Sequence, residues 1–127
     1  MADTTKLRYA KTHEWLNLDG TQGRVGISDY AQNEISDVVF VELPRVGREL
    51  KKGDSAMVVE SVKAAFDIYA PVSGKVTRVN ESLKDHPELI NSSPFGDGWL
   101  FEIQLSQPVE ANELMDQAQY DSSKGNH

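Results

Sequence analysis

The stretch from Val58 to Tyr69 narrows the fold more than any other part of the chain. Two β-prone runs, Met57-Val58-Val59 and Phe66-Asp67-Ile68-Tyr69, flank a short segment that holds one lysine, Lys63. Ala70-Pro71 stops the second run, and Val72-Ser73-Gly74-Lys75 then reads as a turn. This pattern predicts a β-hairpin with Lys63 at or near its tip. A four-carbon stem carries the amine clear of the backbone, and the turn itself offers it no evident partner. Such an amine suits covalent attachment of a cofactor, provided a sheet braces the hairpin from behind.

The remaining sequence supplies strands for that sheet. Leu7-Arg8-Tyr9 starts a short strand. Trp15-Leu16-Asn17-Leu18 and Gln22 to Ile27 form two more, joined at Asp19-Gly20. Ser28 is a good N-cap and Asp29 favours a helix N-terminus, which places a short helix near 29–35. Val38 to Leu43 is β-branched and aromatic, and Pro44 ends it. Gly47 and Gly53-Asp54 mark turns around Glu49-Leu50. Lys75 to Val79 alternates as a strand, with Val76 and Val79 near the core. Asn80 can cap a helical turn at Glu81 to Lys84, Asp85-His86-Pro87 breaks it, and Glu88-Leu89-Ile90 is a further turn. Asn91 to Gly98 reads as loop and Trp99 to Leu105 as the last strand. Ser106-Gln107-Pro108 leads into a helix with Val109, Leu114, Met115 and Ala118 as its apolar stripe. Short, evenly spaced strands with glycines and prolines between them suggest a small sandwich or flattened barrel. We expect one domain over 1–120 and a flexible polar tail over 121–127.

Bulk properties exclude several roles. A formal charge of -7 and a pI near 4.9 argue against nucleic acid, whose phosphates call for a basic face. The same charge suits docking on basic patches of larger proteins. No apolar run is long enough to span a membrane. Residues 1–6 read neither as a signal peptide nor as a transit peptide. The expected compartment is the bacterial cytoplasm, or the mitochondrial matrix if a transit peptide has been removed. The chain has no cysteine, so disulfides and thiolate metal sites are excluded. His13, His86 and His127 lack metal-ligand spacing, and His13 reads as a packing or surface residue. No Ser-His-Asp signature or phosphate loop stands out. Trp15 and Trp99 read as core anchors.

Glu60-Ser61-Val62-Lys63-Ala64-Ala65, followed by Asp67-Ile68-Tyr69-Ala70-Pro71-Val72-Ser73-Gly74, resembles the lipoyl-lysine hairpin of the glycine cleavage system H proteins. Thr12-His13-Glu14-Trp15, Val25 to Gln32, Val39 to Pro44, Glu88 to Pro94 and Gly98-Trp99-Leu100 are similar to that family in the same order. Phe66 departs from it, because a small hydroxyl residue is expected there. The resemblance implies a mainly β fold, a barrel-sandwich hybrid of the lipoyl/biotinyl type. Two antiparallel sheets would carry short flanking helices and a C-terminal helix.

The resemblance also implies a function. Lipoic acid would be bound covalently as lipoyl-lysine at Lys63. The arm would carry the aminomethyl group of glycine from a pyridoxal-phosphate glycine decarboxylase to an aminomethyltransferase. A flavin-dependent dihydrolipoamide dehydrogenase would reoxidise it, and a lipoyl-attaching enzyme would install it. The chain would be a monomeric carrier and not an enzyme. Glu14 and Asp67, with Thr12 beside them, would line the cleft that shelters the aminomethyl ammonium. Other carriers fit less well. Biotin domains place methionines beside the lysine, where Val62 and Ala64 stand here. Lipoyl domains of 2-oxoacid dehydrogenases usually have Asp before the lysine and are shorter. A lipoate relay and a stand-alone hydrolase are further alternatives.

Overall fold

The computed structural model describes residues 7–124. Among the described residues, nine strands form two antiparallel sheets. They are β1 (Arg8–Tyr9), β2 (Glu14–Asp19), β3 (Gln22–Ile27), β4 (Val38–Glu42), β5 (Glu49–Leu50), β6 (Ser55–Ser61), β7 (Ala65–Tyr69), β8 (Gly74–Val79) and β9 (Phe101–Leu105). The larger sheet runs β1-β2-β3-β9-β8-β5 and the smaller β4-β6-β7. Their apolar faces meet in one core, with Leu16, Val25, Val59, Val72, Leu100 and Phe101 fully buried. The fold is the expected mainly β barrel-sandwich hybrid. Helix α1 (Asp29–Ile35) starts where Ser28 and Asp29 predict it, and the Ser28 side chain accepts the Ala31 N–H at 3.2 Å. No described helix is long and apolar enough to cross a membrane.

Strand alternation alone does not explain the burial pattern; bulges do. A register shift between Val38 and Phe40 leaves Val39 and Phe40 both outside, 55% and 54% exposed, while Val38 and Val41 point inward. A second shift between Val76 and Arg78 lets Val76 and Val79, three residues apart, both face the core. The predicted turn at Val72 to Lys75 is corrected. Val72 is fully buried, and Gly74 opens β8, paired with Leu50 on one side and Leu105 on the other. A Cβ at Gly74 would overlap the backbone carbonyl of Gln104. Gly74→Ala should therefore push β8 off β9 and cost about 3 kcal/mol, read by urea unfolding. Gly20, in the β2–β3 turn, has open space around it and φ of +65°. There alanine meets only backbone strain of about 1 kcal/mol. Equal losses at the two positions would contradict this packing.

Three other expectations change. Asn80 does not cap the helical turn α2 (Ser82–Asp85) with its side chain; it donates instead to the carbonyls of Asp97 and Trp99, both at 2.8 Å. Asn91 and Ser92 lie in α3 (Leu89–Ser92) and not in a loop. The Asn91 amide bonds the Val38 N–H, the Ser36 carbonyl and the Gln32 side chain, which ties α3 to the start of β4. The single C-terminal helix is two pieces: a 3-10 helix over Pro108–Glu113, then α4 (Gln117–Lys124). Val109 is exposed, Ala118 is exposed, and Met115 pairs with Tyr9 as an isolated bridge. Leu114, in extended backbone, splits the run. Helix α4 continues through Lys124, past the expected boundary at residue 120, and residues 125–127 lie outside the described residues. Trp15 and Trp99 are core anchors in a second cluster with Leu7, Tyr9 and Tyr120. The Trp15 indole donates to the carbonyls of Ile27 and Pro94.

Candidate functional site

The β6–β7 hairpin places Lys63 in its three-residue tip, between Ser61 and Ala65. Ser61 organises that tip. Its hydroxyl oxygen accepts the N–H of Lys63 at 3.1 Å and of Ala64 at 3.2 Å, and its own N–H reaches the Ala64 carbonyl at 2.9 Å. The Val62 N–H donates to the Asp37 carbonyl, which fastens the tip to the loop before β4. The backbone of the tip is thus pinned, while the side chains of Val62, Lys63 and Ala64 are exposed. The Lys63 Nζ donates to the main-chain carbonyl of Glu34 in α1 at 3.0 Å. One exposed hydrogen bond is a weak restraint, about 1 kcal/mol. An amide at Nζ could form there without displacing any packed group.

Beside this contact a cleft of about 310 Å³ opens between α1 and β7. Thr12, Glu14 and Asp67 all line it, with Tyr30, Glu34 and Phe66. Thr12 and Glu14 form a direct pair: the Thr12 hydroxyl donates to Oε1 of Glu14. The other carboxyl oxygen accepts the Tyr69 N–H at 3.0 Å. Glu14 is only 1% exposed, and burial raises its pKa from 4.5 to about 7 against the lowering effect of these hydrogen bonds. A carboxyl poised at neutrality is ready to ionise when a cation arrives. Asp67 is placed differently. It is exposed, and its Oδ1 accepts the Ser55 hydroxyl at 2.8 Å and not a bond from Glu14 or Thr12. Phe66 is half-buried against the core and forms part of the cleft wall.

Sequence reasoning missed three contributors: the Glu34 carbonyl, Tyr30 and Ser61. A main-chain acceptor leaves no residue-type signal. Ser61, two residues before the lysine, did carry one, since serine hydroxyls bond nearby backbone in turns. His13 packs as expected: its ring lies 4.7 Å from that of Tyr30, and its Nδ1 is 2.7 Å from the Tyr120 hydroxyl. A larger apolar pocket of about 500 Å³ lies beyond Thr12, lined by Tyr9, Tyr69, Pro71, Leu114 and Met115. It contains neither Lys63 nor Glu14 and is not the candidate site. Among the described residues no group of three or more side chains could hold a metal ion.

A family model described as glycine cleavage H-protein matches residues 7–127. The chain is 51% identical over 122 residues to the glycine cleavage system H protein of Rhodospirillum rubrum, covering 95% of this chain and 97% of that one. It is 54% identical over 115 residues to the protein of the same name from Paramagnetospirillum magneticum, covering 91% and 92%. Among solved structures, a glycine cleavage system H protein from Mycobacterium marinum superposes with a TM-score of 0.87 at 35% identity, covering 95% of this chain and 98% of that one.

Proposed function

The chain belongs to the glycine cleavage H-protein family, and on that premise we propose that it is the lipoyl carrier of its system, with the lipoyl group in amide linkage to Nζ of Lys63. The observation that carries this reading is a pinned hairpin tip with an exposed lysine beside a cleft that holds a neutral-poised carboxyl. When bound, the group would supply a disulfide: its S–S bond would open as one sulfur is bonded to the aminomethyl carbon and the other is left as a thiol, carbon dioxide leaving. The chain has no cysteine that could capture that disulfide by exchange. Carrier and catalysts are separate in this reading. A pyridoxal-phosphate glycine decarboxylase, an aminomethyltransferase and a flavin-dependent dihydrolipoamide dehydrogenase use the arm in turn, and a lipoyl-attaching enzyme installs it.

The residues divide that work. Ser61 and Asp37 hold the base of the arm still. The Lys63 stem and its extension reach on the order of a dozen Å, enough to enter the adjoining cleft or swing out to a partner. Tethering turns the search between partners into a local one, at about millimolar effective concentration. Inside the cleft, Glu14 receives the cationic amine. Thr12 and the Tyr69 N–H fix the carboxyl, and a positive charge beside it favours the ionised form, the carboxyl proton passing to solvent. Asp67 at the rim adds negative charge. In a test with glycine and the decarboxylase, carbon dioxide release should require the lipoylated protein. Release at the same rate with unlipoylated protein would overturn the proposal.

A further inference from the structure

Helix α4 packs on the sheet through Tyr120. Of its residues whose side chains are described, Tyr120 alone is buried, 2% exposed. Its ring stacks on Tyr9, with centroids 4.4 Å apart and planes 6° from parallel. Its hydroxyl lies 2.6 Å from Oγ of Ser28 and 2.7 Å from Nδ1 of His13. One contact reaches His13, which lines the arm cleft, and the other reaches the cap of α1, the helix that also lines it. His13 sits between Thr12 and Glu14 on one wall. Ser28 caps α1, whose Tyr30 and Glu34 form the other and whose Glu34 carbonyl meets Lys63. The Ser28 N–H donates to the His13 carbonyl at 2.9 Å, Glu14 pairs with Ile27 in the β2–β3 ladder, and the His13 ring packs on Tyr30. The Tyr120 hydroxyl adds a side-chain tie brought from α4, a part of the chain remote in sequence from both.

We infer that Tyr120 is a positioning residue for the cleft: its hydroxyl fixes the spacing between the Thr12–Glu14 wall and α1, and with it the shielding of the loaded arm. This rests on the reading that the cleft shelters the arm. A phenol that donates to one partner and accepts from the other satisfies both contacts in either direction. The loss of that hydroxyl is felt most at Ser28, which is 1% exposed and is left short of a bond away from water.

Tyr120→Phe keeps the stack on Tyr9 and removes only the hydroxyl. In the unmodified protein, α1 amides should exchange with solvent about fivefold faster while amides of the larger sheet are unchanged. In the lipoylated protein loaded from glycine, ammonia release without the transferase should also rise about fivefold, equivalent to about 1 kcal/mol. Glu14→Ala is measured beside it, and Val76→Ala in β8 serves as a remote destabilised control. The inference is overturned if Tyr120→Phe matches wild type in both measurements while Glu14→Ala releases ammonia faster. It is also overturned if Val76→Ala accelerates release as much as Tyr120→Phe does. If Glu14→Ala itself releases ammonia at the wild-type rate, the sheltering cleft fails and this inference falls with it.

Discussion

Lys63→Arg should carry no lipoyl group at all, yet melt within about 3 °C of the parent. The effect on attachment is all-or-none because the guanidinium is a poor nucleophile and the wrong shape for the amide. Retention of the fold follows from the surroundings of Lys63. The side chain is exposed and donates to the Glu34 carbonyl, which an arginine can also reach. Intact mass reads the first result and thermal unfolding the second. A lipoylated arginine variant would move the attachment site to another lysine. A large fall in melting temperature would make Lys63 a structural residue.

The second large effect concerns Glu14, and its sign can be worked out. The folded carboxyl has a pKa of about 7, above its ordinary 4.5, because it is buried. Between those values the folded chain holds a proton that the unfolded chain has released. The stability tied to this group is therefore fully present below about pH 4.5 and is lost as the pH rises through 7. A shift of this size corresponds to roughly 3 kcal/mol. Glu14→Gln has no proton to lose, so urea unfolding at pH 5 and pH 8 should differ by about that much less than in wild type. Identical pH dependence in the two proteins would mean that Glu14 titrates as an ordinary acid. The same property serves the carrier role: a carboxyl that is costly to ionise alone gains from a cation placed beside it.

Much of this was legible in the sequence, for local reasons. Helix α1 follows from Ser28 and Asp29, and the β2–β3 hairpin from Asp19-Gly20, because caps and turns are short-range chemistry. The lysine hairpin was readable for the same reason. What was not legible depends on distant partners. Nothing near Gly74 in sequence announces that Gln104 of β9 lies against it. Asn80 and Asn91 look like loop or cap residues until the carbonyls they serve, Asp97 and Ser36, 17 and 55 residues away, are in place. The exposure of both Val39 and Phe40 needs the bulge, which alternation cannot reveal. At the site, Thr12 and Glu14 meet each other, whereas Asp67 meets Ser55, a difference set by strand register.

The central claim is that Lys63 bears the arm. Peptide mass mapping of the protein isolated from its own cells, grown with glycine, tests it directly. The expected result is a lipoyl adduct on the peptide that contains Lys63 and on no other lysine. A lipoyl adduct on a different lysine, or biotin on Lys63, would contradict it.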